Sequence, residues 1–260
     1  MGVFREYVGA QWAAVQLSDV PVISGVALFH LILAFAVDYT RDSPPQPFWD
    51  EGHHTPAEVV LGVGGATVGG VDTYFSPADE DSWVSNAVDS LSGIIDTYQL
   101  DGIDIDYEQF NGDEALFARC IGRLLTELKA RYPALVTSIA PYKDTEGYYQ
   151  ALWSSYQEVI DYVNYQFYAN PASTRVEQYM EEYGRVAGSV FAGGSVLASI
   201  NTSNPADVVT VDAYTALQAC AQLAGNLTGI FVWSADSSYY NNLDFWYEGQ
   251  AQQILAVGTN

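Results

Sequence analysis

The stretch LDGIDIDYEQF, from Leu100 to Phe110, places four carboxylic acids within eight residues. Three of them, Asp104, Asp106 and Glu108, recur at a spacing of two and alternate with isoleucine and tyrosine. Successive side chains of a β-strand point to opposite faces, and residues on one face lie ~6.6 Å apart. The stretch therefore predicts a strand with an apolar face that is buried and an opposite face that carries the three acids.

Seven other short runs rich in Val, Ile, Leu and Phe resemble strands that are buried on both faces. With the acidic stretch, the predicted strands are Phe4–Gly9, Leu31–Val37, Val59–Val63, Gly102–Asp106, Val136–Ala140, Tyr162–Phe167, Val196–Ile200 and Ile230–Trp233.

Helical periodicity recurs between these runs and after the last of them. It is clearest after Asp113, a residue suited to cap a helix, where apolar residues form one stripe and Pro133 follows the end. The predicted helices are Ser82–Tyr98, Asp113–Arg131, Glu146–Ile160, Thr174–Ala187, Asp212–Ala224 and Leu243–Val257.

Strands that alternate with helices over 260 residues predict an α/β protein, a single (β/α)8 TIM barrel in which residues 1–260 form one domain. Prolines interrupt the segment Asp38–Glu58, so the second barrel helix is expected to be poorly formed or missing. In a barrel the three acids face the axis, and each successive acid lies nearer the carboxyl-terminal mouth, where barrel enzymes carry out their chemistry.

The composition is strongly acidic, with 32 Asp and Glu against 9 Lys and Arg and a formal charge of −23. Such a surface repels nucleic acids and anionic lipids but is compatible with a neutral substrate. No run reaches the ~18 apolar residues of a membrane helix, and no signal peptide is recognisable.

Cys120 and Cys220 fall in helical segments and are expected to be buried free thiols.

Three interpretations of the inward acids are open from the residues alone. The acids could be solvated on an exposed strand, but this leaves the flanking isoleucines unexplained. They could bind a divalent metal, with Asp38 or Asp236 as further ligands. The favoured interpretation is an acid-catalyst array, in which Glu108 holds a proton because burial and neighbouring negative charge favour the neutral form. It requires neither a metal nor a cofactor.

DGIDIDYE resembles the DGxDxDxE signature of glycoside hydrolase family 18. Further segments resemble that family's strands, so the likeness extends over nearly the whole chain. They are REYVGAQ, LILAFA, GVGGA, SIAPY, YQFYANP and GIFVWSADSS. The details are most similar to the plant branch, with its bulb-type class III chitinases and narbonin-like proteins.

The resemblance implies an endo-acting chitinase that retains anomeric configuration through substrate-assisted catalysis. Glu108 would protonate the glycosidic oxygen, Asp106 would orient the substrate's acetamido group, and Asp104 would share a proton with Asp106. Tyr168 would hydrogen-bond the acetamido oxygen. Substrate-binding positions would be Trp233, Gln166, Tyr7, Phe35 and Asn170.

The resemblance also carries an alternative and some further expectations. The alternative is a catalytically inert chitinase-like storage protein, lectin or glycosidase inhibitor, since relatives of this kind keep much of the signature. Cis peptide bonds are expected at Trp233–Ser234 and Ala34–Phe35. The expected partners are chitin or N-acetylglucosamine oligosaccharides, bound by a secreted or vacuolar monomer.

Overall fold

The structure is a computed structural model that describes residues 2–10, 15, 17–37, 58–68, 70–203 and 209–257. Eight parallel strands of these residues close into a barrel, in the order β1-β10-β9-β8-β7-β6-β3-β2, and β4 and β5 form a separate antiparallel hairpin. The strands are β1 (Val3–Val8), β2 (Leu28–Ala36), β3 (Glu58–Gly65), β4 (Thr67–Val68), β5 (Val71–Asp72), β6 (Gly102–Tyr107), β7 (Val136–Ile139), β8 (Tyr162–Asn164), β9 (Val196–Asn201) and β10 (Gly229–Trp233). The predicted fold class is confirmed.

Helices surround the barrel on the outside. They are α1 (Glu80–Tyr98), α2 (Glu114–Arg131), α3 (Glu146–Tyr156), α4 (Val176–Arg185), α5 (Ala213–Leu223), α6 (Ala235–Tyr240) and α7 (Trp246–Val257). The side chain of Asp113 accepts a hydrogen bond from the amide of Leu116 at 2.7 Å and caps α2, as its sequence predicts. The stripe that follows is buried against the strands, and both cysteines are free and buried.

Two apolar layers follow from the alternation of side chains along the strands. The outward layer packs against the helices and includes Ile103, Ile105 and Tyr107 of β6. A smaller cluster fills the barrel itself, and its buried members are Val3, Tyr7, Ile32, Val60, Leu197 and Phe231. The acids of β6 therefore share the barrel interior with apolar and aromatic side chains, a setting in which a lone charge is costly.

Several element boundaries differ from those predicted. Strand β8 ends at Asn164 rather than Phe167, because the chain then turns into a 3-10 helix over Phe167–Ala169. The fourth helix ends at Arg185 and continues as a π turn. The sequence analysis missed α6 and the β4–β5 hairpin because both are too short to show periodicity. The expected loss of the second helix concerns residues 38–57, which lie outside the described part of the chain.

Among the described residues, no helix has both the length and the apolar character needed to cross a lipid bilayer.

Candidate active site

The three acids of the opening stretch lie along one face of β6 and its end. Asp104 and Asp106 point into the barrel and are almost completely buried. Glu108 follows the last strand residue and is only partly buried, so it lies nearest the mouth. This is the alternation that the spacing of two predicts, and it brings three carboxyl groups into one cavity.

Asp104, the deepest acid, accepts hydrogen bonds on both oxygens. Its Oδ2 accepts from the hydroxyl of Tyr7 at 2.6 Å, and its Oδ1 accepts from the hydroxyl of Ser138 at 2.5 Å and from Nδ2 of Asn164 at 2.9 Å. Three donors from three other strands thus converge on one carboxylate. Such a set provides both oxygens of a buried carboxyl group with hydrogen-bond partners.

Asp106 and Glu108 hold protons more tightly than free carboxyl groups do. Burial raises the pKa of Asp106 well above its ordinary value, and the charges of Glu108 and Asp104 raise it further, while a hydrogen bond from Gln166 opposes them. Burial likewise raises the pKa of Glu108, and Gln166 again opposes the shift. The pair therefore keeps a proton at a pH where exposed carboxyl groups are ionised, which is what an acid catalyst needs.

Tyr168 lies in the 3-10 turn after β8 and faces the acids. Its backbone amide donates to Oγ of Ser199 at 3.1 Å, and its ring packs edge-on against Phe231 with centroids 5.9 Å apart. Burial, followed by the charges of Asp106 and Glu108, raises the pKa of the Tyr168 hydroxyl well above its usual range. The hydroxyl therefore remains a hydrogen-bond donor in this cavity.

Aromatic rings form a floor beside the acids. Trp233 stacks on Phe35 with centroids 5.8 Å apart and an interplanar angle of 20°. The ring of Tyr7 lies 5.2 Å from Trp233 and 6.2 Å from Phe35. The peptide bonds Ala34–Phe35 and Trp233–Ser234 are both cis, as the resemblance implies. An indole ring in this position offers an apolar face to the flat side of a sugar.

The glycines that end β3 make room for this floor. A Cβ atom on Gly65 would lie 2.6 Å from the ring of Phe35, and Gly65 has a φ of 78°. Gly64 has a φ of 107°, and a Cβ there would lie 3.0 Å from the backbone of Asp106. Both positions require a residue without a side chain, so the GVGG segment serves the geometry of the cavity.

The remaining sequence candidates divide into two groups. Gln166 lies inside the cavity, where its Nε2 donates to Oδ1 of Asp106 at 3.0 Å. Asn170 ends the 3-10 turn, and its carbonyl accepts from the amide of Val211 at 2.8 Å. Among the described residues, no hydrogen bond links the Asn170 side chain with the acids. The structure therefore brings Gln166 to the acids but gives no such contact for Asn170.

Sequence reasoning missed Ser138 and Asn164, which both bind Asp104. A signal for each was present, because Ser138 lies on β7 and Asn164 precedes Gln166 by two residues on the inward face of the predicted strand. It also did not place Tyr142 at the site. Burial raises the pKa of Tyr142, and Glu108 is the first of the charges that raise it further, which places this ring near the acid at the mouth.

The metal interpretation finds no support in the described residues. Asp236 does not join the array, because its Oδ2 accepts from the backbone amides of Gly9 and Ala10 at 2.7 and 3.2 Å. Asp38 lies outside the described residues. Within the described ranges, no group of three or more His, Cys, Asp and Glu side chains has an arrangement that could hold a metal ion.

A closed parallel barrel with buried carboxyl groups beside an aromatic floor defines an arrangement used by barrel glycosidases. The family model described as Glycosyl hydrolases family 18 matches residues 11–181 of this chain. The chain is 46% identical over 277 aligned residues to Chitinase 1 of Tulipa saxatilis subsp. bakeri, an alignment that covers 98% of this chain and 87% of that protein. The chain therefore belongs to glycosyl hydrolases family 18.

Two solved structures agree with this assignment. One is the catalytic domain of a family GH18 chitinase from the fern Peteris ryukyuensis, with a TM-score of 0.86, 43% identity and coverage of 98% of this chain and 99% of that chain. The other is a family 18 chitinase from Crocus vernus, with a TM-score of 0.87, 38% identity and the same coverage of 98% and 99%. The likeness thus extends over the whole barrel and is not confined to the acidic motif.

Proposed function

We propose that this protein is an endo-acting chitinase that hydrolyses β-1,4 bonds between N-acetylglucosamine units with retention of configuration. The observation that supports it best is the position of Asp106 and Glu108 two residues apart, on one face of β6 and its end, close to Tyr168 and to the floor formed by Trp233. Two acids placed in this way do not flank a sugar ring from opposite sides, as the two-carboxylate schemes require.

The nucleophile of the proposed reaction is therefore the substrate itself. Glu108 donates its proton to the glycosidic oxygen as the bond to C1 breaks, and the carbonyl oxygen of the acetamido group attacks C1. Asp106 accepts a hydrogen bond from the acetamido N–H and stabilises the oxazolinium ion that forms. Tyr168 donates to the acetamido oxygen and orients it. Water then attacks C1 while Glu108 takes up a proton, so that two inversions give net retention.

The surroundings suit a neutral polysaccharide. The floor of Trp233 and Phe35 offers apolar contact to a sugar ring, and a formal charge of −23 does not oppose an uncharged chain. We infer that residues 1–260 act as one catalytic barrel, that the partner is chitin or its oligosaccharides, and that the protein works as a monomer in a secreted or vacuolar setting.

The test is hydrolysis of N-acetylglucosamine hexamer by wild type and Glu108→Gln, with the anomeric form of the first products followed by proton NMR. We expect internal cleavage and β-anomeric products from wild type, and no turnover by Glu108→Gln with binding retained. Wild type that binds the hexamer without cleaving it would instead be a lectin. Wild type that neither binds nor cleaves would fit a storage protein or an inhibitor.

A further inference from the structure

Arg5 places a positive charge inside the barrel below the acids. It lies on β1 two residues before Tyr7, and its side chain is fully buried. Of the nine Lys and Arg residues in the sequence, Arg5 is the one that lies on a described strand. A guanidinium keeps its charge even in such a setting, because its intrinsic pKa is above ~12. In the described part of the chain, the barrel strands therefore contribute one cation opposite the three acids.

The contacts of Arg5 do not explain its burial as an ordinary ion pair. Nη1 donates to Oδ1 of Asn164 at 3.0 Å, and the guanidinium carbon lies 5.3 Å from the ring centroid of Tyr162. In the described part of the chain, Nε and Nη2 have no hydrogen-bond partner, and no carboxylate forms a salt bridge with Arg5. Its interaction with the acids is therefore indirect.

Asn164 provides that indirect link. Because Arg5 has donors only, the amide oxygen of Asn164 must face the guanidinium, and the amide nitrogen must then face away from it. The nitrogen points to Oδ1 of Asp104 at 2.9 Å. Arg5 thus fixes which end of the amide meets the acid, and a flipped amide would direct its oxygen at the carboxylate instead.

The other groups around Arg5 leave its charge available to the acids. Burial lowers the pKa of Arg5, and the charges of Asp104, Tyr7, Tyr162 and Glu58, in that order, oppose this effect only in part. His30 lies 3.1 Å from Glu58, but the contact is not aligned as a hydrogen bond. Burial and the charge of Arg5 lower the pKa of His30 to about 3, so this imidazole is neutral at working pH.

We propose that Arg5 is a positioning residue for the reaction: through Asn164 it fixes the orientation of Asp104, and its charge offsets the negative charge that the array gains when Glu108 gives up its proton. The inference rests on the proposed function, because only a proton-donating array undergoes that change of charge. Without the cation, the array should hold its proton to a higher pH and release it less readily to the leaving group.

The test compares Arg5→Gln, Arg5→Lys and the control Arg119→Gln, which makes the same charge change on the outer, half-exposed side of α2. For Arg5→Gln we expect a loss in kcat of roughly tenfold, little change in KM, and an alkaline limb of the pH–rate profile that moves up by about one pH unit. Arg5→Lys should keep the limb near its wild-type position, and Arg119→Gln should match wild type throughout. The proposal is overturned if the alkaline limb of the pH–rate profile does not move in a folded Arg5→Gln variant. It is also overturned if this limb moves equally in Arg5→Lys.

Two further measurements keep the outcome decisive. Carbon-13 NMR titration of labelled Asp and Glu carboxyl groups reports the same shift without turnover, so it tests Arg5 even if the proposed function fails.

If Arg5→Gln does not fold, Asn164→Asp keeps the size of the side chain and gives Arg5 a partner. It removes a donor from Asp104 and adds negative charge, so the array titration should again move to higher pH. An unchanged titration contradicts the proposal.

Discussion

The side-chain amide of Gln166 donates to Oδ1 of Asp106 at 3.0 Å and to the backbone carbonyl of Ala140 at 2.9 Å. These two contacts hold the side chain between Asp106 and the residue that follows β7. Its hydrogen bonding lowers the pKa of Asp106 and of Glu108 and opposes the larger effect of burial. Gln166 therefore limits how tightly the array holds its proton.

Replacement of this amide should move the titration of the array. We expect Gln166→Leu to raise the pKa values of Asp106 and Glu108 further and to lower kcat by about 10- to 100-fold, since a buried acid loses a hydrogen bond. Steady-state kinetics across pH measure both effects. Gln150→Leu, on the exposed side of α3, is the matched control and should leave activity unchanged. A Gln166→Leu enzyme with a wild-type pH profile would contradict this role.

The pH dependence of wild type should have an alkaline limb set by Glu108. Burial raises the pKa of Glu108 above its ordinary value of 4.5, and in the proposed reaction the group acts in its protonated form. Activity should therefore persist above pH 4.5 and fall as the pH rises through the raised pKa, because the acid is then ionised before it can donate. The measurement is kcat/KM for an N-acetylglucosamine oligomer from pH 3 to 9. A rate that increases steadily across the neutral range would show that Glu108 acts as a base in the limiting step.

The aromatic floor should contribute to substrate binding more than to the chemical step. We expect Trp233→Ala to weaken oligosaccharide binding by about 10- to 100-fold, since it removes the stacking surface beside Phe35. Isothermal calorimetry on the Glu108→Gln background separates binding from turnover. The control is Trp246→Ala, which removes a half-exposed indole at the start of α7. Equal affinities for the two variants would show that Trp233 is a packing residue only.

Short apolar runs that alternate with helical patterns were sufficient to predict the barrel, and the alternation along β6 was sufficient to predict the inward acids. The positions of Asp104, Asp106 and Glu108 follow from spacing alone. The donors to Asp104 come from other strands, and their convergence depends on barrel register, which pairs Asp104 with Ser138. Arg5 was not singled out, because one cation within an apolar run shows no period. Long-range register and short elements such as α6 thus account for what the sequence did not reveal.

A second group of buried acids lies outside the barrel and should govern stability rather than catalysis. Glu6 on β1 is fully buried, and neither carboxyl oxygen has a hydrogen-bond partner among the described residues. Burial raises the pKa of Glu6 well above its ordinary value, and the charges of Glu248 and Asp236 raise it further. Folding therefore favours the protonated form of this side chain.

The sign of the pH effect follows from that shift. Because the folded state binds the Glu6 proton more tightly than the unfolded state, the contribution of this proton to the free energy of unfolding is fully present below the ordinary pKa of 4.5. It is lost as the pH rises from there through the folded pKa. Glu6→Gln keeps a neutral side chain at every pH, so we expect it to match wild type in acid and to be more stable by about 1–3 kcal/mol at alkaline pH, the scale of one unpartnered buried polar group.

Urea unfolding at pH 4, 6 and 8 measures this difference in the free energy of unfolding. Glu177→Gln makes the same chemical change at an exposed position of α4 and is the matched control, which should change the free energy of unfolding by no more than about 0.5 kcal/mol. The gap between Glu6→Gln and wild type should instead widen as the pH rises. If Glu6→Gln is less stable than wild type at pH 8, the ionised carboxylate has a partner that stabilises it, and the cluster with Asp236 and Glu248 does not destabilise the fold by repulsion.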